Sequence, residues 1–188
     1  MASARDGEDR APRRERRPMS SALNLASSLP ARGGPRPQTG PSMPHQQLSD
    51  NAPAEIQEKL FERARALTGV RIGPSRVSVP GARAFFMEDT SKAPADAFMI
   101  GSEFAHLHPS YDGSLHLVLP AEVATEVIDR GWGELHPMAR GAARRAVPLM
   151  VFGPRNHEEL EVVWLILRAS FEFAGGLDEP EPNLGPAK

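Results

Sequence analysis

Apolar residues recur with two different periods along the chain, and the switch between them outlines the fold. Over 52–68, Ile56, Leu60, Ala64 and Leu67 return at helical spacing. Asn51 is placed to cap that helix, Pro53 suits its first turn, and Gly69 suits its end. From 70 to 119 the period shortens to that of strands. Runs at 76–79 and 84–87 flank the turn pair Pro80-Gly81, and a further run lies at 97–100. Strands at 104–108 and 114–119 flank Pro109-Ser110-Tyr111-Asp112-Gly113, which reads as a hairpin loop of about five residues. Pro120 opens a helix over 120–130 with Val123 and Val127 on one face, and Gly131 ends it. A compact apolar strand at 147–152 precedes a long helix at 156–174. Asn156 caps that helix, Glu158 and Glu159 complement its N-terminus, and Leu160, Val163, Trp164, Leu167 and Phe171 form its stripe. Strands in a run with helices towards the ends predict an α+β fold: a mainly antiparallel sheet with helices packed on one face.

Composition divides the 188 residues further. Residues 1–50 hold seven prolines and eight arginines, and their apolar residues are isolated apart from Leu23, Leu25 and Leu29. Such a segment buries too little apolar surface to offset its ordering entropy. The expected organisation is a disordered tail at 1–50, a domain at 51–176 and a flexible C-terminal tail at 177–188. With eight basic and five acidic residues the N-terminal segment carries +3, which leaves −5 for 51–188 out of a total of −2. An acidic domain disfavours nucleic acid as a partner, unless the run Arg13-Arg14-Glu15-Arg16-Arg17 supplies the contacts. No apolar stretch approaches the ~18–20 residues that span a bilayer, so the expected setting is cytoplasmic with no membrane partner. The absence of cysteine excludes disulfides, zinc–thiolate sites and a cysteine nucleophile. Oligomeric state leaves no signature in the sequence.

The candidate chemistry sits in the central hairpin. Alternation along a strand places Ala105 and Leu107 on one face and Phe104, His106 and His108 on the other. In the next strand Leu115, Leu117 and Leu119 face the core, while Ser114, His116 and Val118 face away. With Asp112 as the loop centre, His108 pairs with His116, and the histidines line a sheet face turned to solvent. Three imidazoles within this reach can ligate one divalent metal, or act without metal as bases and oxyanion stabilisers. His136, in Gly131-Trp132-Gly133-Glu134-Leu135-His136-Pro137, is a candidate fourth member. Glu103 falls on the opposite face unless a bulge re-aims it. Asp112-Gly113 has the chemistry of a turn, and Asp112 is also a site candidate. Trp132 reads equally as a pocket wall or a core cap, and Arg140, Arg144 and Arg145 form a small basic cluster. The HxH of cupin barrels is followed by a Glu, where this chain has Pro-Ser-Tyr-Asp-Gly.

The stretch from Gly101 through His106, His108 and Pro109 to Asp112, Gly113 and His116 resembles the luciferase-domain family, the group built around the fungal luciferase. So do the block from Gly131 to Pro137 and the closing helix after Val151-Phe152-Gly153-Pro154-Arg155. The resemblance implies an oxygenase-like oxidoreductase acting on a small organic substrate. In the fungal enzyme dioxygen attacks a hydroxylated pyrone, and an endoperoxide loses CO2 with light emission. It further implies site positions at Glu103, His106, His108, Asp112, His116 and His136. It carries no nucleotide or flavin, so the cofactor expectation is none, or one divalent metal on His106, His108 and His116. A membrane segment is expected ahead of the fungal domain, and these 188 residues contain none. The alternative reading is a non-catalytic module whose histidine face binds a ligand or a protein.

Overall fold

A computed structural model describes residues 28–139 and 145–176. Helix α1 (Ala54–Arg65) leads into strands β1 (Val70–Pro74), β2 (Arg83–Met87), β3 (Glu103–Leu107) and β4 (Leu115–Pro120). Helix α2 (Ala121–Asp129), strand β5 (Gly133–Leu135), a 3-10 turn (Pro137–Ala139), strand β6 (Ala146–Val151) and helix α3 (His157–Phe173) complete it. The strands form one six-stranded antiparallel sheet in the order β1-β2-β3-β4-β6-β5. The architecture is the expected α+β arrangement. Among the described residues no helix is long and apolar enough to cross a membrane.

One sheet face carries the core. Ala105, Leu107, Leu115, Leu117, Leu119, Leu149 and Val151 are buried there with Leu160, Val163, Ile166, Leu167 and Phe171 of α3. Asn156 accepts the Glu159 backbone N–H at 2.9 Å, capping α3 as its sequence predicts. The first helix starts differently. Pro53 is its cap position, and Asn51 instead donates to the backbone oxygens of Gln47 and Tyr111.

Three strand assignments need correction. The first strand is β1 rather than 76–79, because Val70 and Ile72 alternate onto the core while Val77 lies in the following loop. The run at 97–100 buries Ala97 but makes only an isolated bridge, Ile100 to Glu103. Strand β5 is too short to show a period. It pairs with β6 at close range because Gly133 has no side chain; a Cβ there would lie 2.3 Å from the Met150 carbonyl oxygen.

Residues 28–50, assigned by composition to the tail, pack against the domain. Leu29 is 3% exposed and joins the core. The Trp132 indole N–H donates to the Pro30 carbonyl at 2.6 Å, which fixes Trp132 as core rather than pocket wall. The Gln47 amide oxygen accepts the Gly153 N–H at 2.9 Å, and a bridge joins Thr39 to Gln47. This strap is held largely by polar contacts to backbone. The basic run at 13–17, the cluster members Arg140 and Arg144, and residues 177–188 lie outside the described residues; Arg145 is exposed.

Candidate functional site

The face of the sheet opposite the helices carries the histidines, and it is not open to solvent. His106 is fully buried, and His108, His116 and His136 are 2–3% exposed. The strap and the turn after β5 supply part of the cover. From the strap comes His45, also buried, whose ring stacks on His116 at 5.3 Å between centroids. Five of the chain's six histidines thus meet in one place. His116 is central: His108 is 4.5 Å from it, His136 4.8 Å and His106 5.0 Å.

The hairpin register differs from the expected one. His116 pairs with His106, and His108 bonds to Ser114 through its backbone N–H. The cause is the loop. Pro109 O accepts the N–H groups of both Asp112 and Gly113, which moves the turn centre one residue earlier. Because faces alternate with period two, His106, His108 and His116 still share a face.

Glu103 reaches that face through a bulge. Phe85 opposes Ala105 while Phe86 opposes Glu103, so β3 holds an extra residue at Phe104. The bulge turns Phe104 into the core, where its ring lies between Phe85 and Phe171, a correction to its expected place beside the histidines. It turns the Glu103 carboxylate towards His106. Oε1 accepts from His106 Nδ1 at 2.8 Å and from the Ser75 hydroxyl at 2.7 Å, and Oε2 accepts the Arg76 N–H at 3.1 Å.

A second carboxylate–imidazole pair lies beside the first. Asp112 Oδ2 accepts from His108 Nδ1 at 2.6 Å, and Oδ1 accepts from the Ser114 hydroxyl and backbone N–H at 2.6 and 3.0 Å. Asp112 therefore forms the turn and also belongs to the histidine cluster. The His106 and His108 rings stack at 5.4 Å with 13° between their planes.

Burial pushes both carboxyls upward, yet the hydrogen bonds they accept outweigh it and hold each below its ordinary value. Both are therefore ionised at neutral pH. An ionised carboxylate only accepts, so Nδ1 carries the proton in His106 and His108. In the neutral rings Nε2 then bears a lone pair. His136 has the opposite tautomer: its Nδ1 accepts the Met138 N–H at 3.2 Å, which leaves its proton on Nε2. Burial drives the His116 imidazolium well below its usual range, and the charges of His106, His108, His136 and His45 act in the same direction. His106 is lowered by burial and by His108, against the pull of Glu103.

All six site positions that the family resemblance implies, Glu103, His106, His108, Asp112, His116 and His136, reach the cluster. Three contributors were missed. His45 lies in a Pro/Ser-rich stretch without periodicity, and nothing in the pattern points to it. Ser75 sits in a loop read as a strand border. Glu134, which binds His45 Nε2 at 2.7 Å and pairs with Arg36, stands two residues before His136 in the block that carries the family resemblance. Beside His136 opens a cavity of about 210 Å³, walled mainly by apolar groups such as Phe98, Met99, Val118 and Pro148.

A helix-backed antiparallel sheet with a buried histidine cluster on its far face is the structural class. The model of the Luciferase domain family matches residues 101–170 and bears out the resemblance read from the sequence. Seven of the residues named above, Glu134 among them, fall inside that match; His45, Ser75 and Arg36 precede it. The luciferase of Armillaria gallica is 42% identical over 74 residues, 38% of this chain and 27% of the relative. The Armillaria mellea luciferase gives the same figures, and that of Neonothopanus nambi is 40% identical over 74 residues. The chain thus spans about a quarter of the length of these curated relatives (27%). No solved structure matches significantly.

Proposed function

We propose that this protein is an oxygenase-like enzyme that oxidises a small, largely apolar organic molecule at the histidine cluster. One observation carries the reading: the cluster adjoins an apolar cavity through His136, which lines that cavity and stands 4.8 Å from His116. At about 210 Å³ the cavity is smaller than the ~300–1,000 Å³ of drug-sized sites. That suits a single-ring enol or phenol. Similarity to proteins named luciferase supports dioxygen as the second substrate.

The roles follow from the tautomers. His136 donates its Nε2–H to a substrate oxygen and steadies negative charge that develops there. The neutral rings behind it offer lone pairs to the substrate hydroxyl proton, and its removal leaves an electron-rich anion able to react with dioxygen. Glu103 and Asp112 hold His106 and His108 in the accepting tautomer. Apolar walls exclude water from the anion and from any reactive peroxide.

The test is dioxygen uptake by the full chain on a panel of hydroxylated pyrones and phenols. Uptake above background, reduced at least about 100-fold in His136→Ala with the melting curve preserved, is the expected result. Equal uptake by wild type and His136→Ala, or no uptake on any of the panel, contradicts the reading.

A further inference from the structure

Three buried nitrogens on the hairpin histidines lack a hydrogen-bond partner among the described residues. Nε2 of His106, His108 and His116 makes no hydrogen bond to any described residue. One orphaned buried polar atom is uncommon; three on neighbouring rings call for a shared ligand. We propose that His106, His108 and His116 bind one divalent transition-metal ion through these Nε2 atoms, with Glu103 and Asp112 as the carboxylates that orient the ligands. The proposal rests on the cluster being the reactive site; with the ion bound, the Nε2 lone pairs would serve as ligands, and the ion instead of the free rings would promote loss of the substrate hydroxyl proton.

Three further observations converge on it. One donor nitrogen from each ring lies within 4.8 Å of the others. Two nitrogens bound to one ion at ~2.1 Å lie ~3.0–3.6 Å apart, so ring shifts of about 1 Å complete the site. Nδ1–H of His106 and of His108 is donated to a carboxylate, the arrangement that fixes a metal-ligating imidazole and raises its basicity. The charge balance is also open. Glu103 and Asp112 are buried, and among the described residues neither forms an ion pair with Lys or Arg. A divalent cation on three neutral imidazoles neutralises the pair.

A competing trio, His45, His116 and His136, has suitable spacing as well. Its chemistry is poorer. His45 Nε2 is held by Glu134 much as Nδ1 of His106 and of His108 is held by a carboxylate, so the difference lies in His136, which directs Nδ1 at a backbone N–H and carries its proton on Nε2. Imidazole donors without thiolate suit zinc, copper, iron or nickel over magnesium or calcium.

The experiment uses the full 188-residue chain, purified without a polyhistidine tag and stripped with chelator. It is titrated with Co2+ as a visible probe and with Zn2+ by calorimetry. Expected are one equivalent bound, new visible Co2+ absorption and a melting temperature raised by the metal. His106→Asn and His108→Asn lower affinity at least about 100-fold, Asp112→Asn lowers it about 10–100-fold, and His136→Asn stays within about threefold of wild type. Should a histidine variant not fold, the Asp112→Asn and His136→Asn pair carries the same contrast. Wild-type protein without saturable binding overturns the proposal, as does affinity lost in His136→Asn and kept in Asp112→Asn. Dioxygen uptake that survives chelation overturns the metal while leaving the enzymatic reading intact. Stoichiometric metal with no uptake on the panel supports the metal site and counts against that reading instead.

Discussion

Leu29→Ala tests whether the strap is part of the domain. Leu29 is 3% exposed and belongs to the core cluster that also contains Trp132, whose indole N–H bonds to Pro30 next door. The substitution removes three buried carbons, worth ~0.8 kcal/mol each in transfer alone, or about 2.4 kcal/mol. A residual cavity adds to this, but the strap is a single chain at the core's edge and can partly close it. The expected loss is therefore about 2–3.5 kcal/mol, at the low end for a buried Leu→Ala. For a domain of this size it corresponds to a melting temperature lower by about 5–10 °C. Urea denaturation of wild type, Leu29→Ala and a control, Leu48→Ala, measures it. Leu48 is 61% exposed on the same strap, so its replacement should stay within about 0.5 kcal/mol. A Leu29→Ala loss as small as the control's would refute the packing, and with it the cover that the strap gives to the histidines.

Acid should destabilise the fold early. Unfolded His106 and His116 take up protons near the ordinary 6.5, while burial keeps both neutral in the fold. The unfolded state then binds more protons, so stability is full above about pH 6.5 and falls as pH drops towards the depressed folded-state values. The slope is about 1.4 kcal/mol per pH unit for each ring. Urea midpoints between pH 8 and 5.5 report this, and a flat profile would contradict it; Glu103 and Asp112 add their loss only below about pH 4.5. Gly133→Ala should cost more than about 2 kcal/mol, because its Cβ meets the rigid Met150 carbonyl, and a melting curve within 2 °C of wild type would argue against that close β5–β6 approach. Asn156→Ala should cost about 1 kcal/mol through loss of the α3 cap, read from the same denaturation curves.

The sequence exposes the site's face but not its register or its roof. Period-two alternation is enough to put His106, His108 and His116 together, since any one-residue change in the loop centre preserves parity. The register itself depends on which N–H groups Pro109 O accepts, a matter of turn geometry that hydropathy does not encode. The Phe104 bulge is invisible to alternation for a related reason: it breaks the pattern at the very residue where a Phe and a Glu exchange faces. Composition places the strap in the tail because its attachment is chemical rather than periodic. One leucine, a proline carbonyl, a glutamine amide and the contacts of Arg36 and His45 to Glu134 are among what holds it, and a composition average over 50 residues hides them. Burial of the histidines follows in part from that strap, which is why the face reads as solvent-exposed until residues 28–50 are placed. Strand β5 offers three residues to a period of two, and only the glycine hints at a close neighbour.

The central claim is that His106 and His108 present Nε2 lone pairs to a common point while His136 presents Nε2–H. Long-range 1H–15N correlation of the histidine rings at pH 7.5, on the chelator-treated full chain, reads the tautomers without knowledge of the substrate. The account predicts the Nδ1–H form for His106 and His108 and the Nε2–H form for His136, each slow to exchange with solvent. Rings in the opposite tautomers, or a mobile average typical of exposed imidazoles, would contradict it.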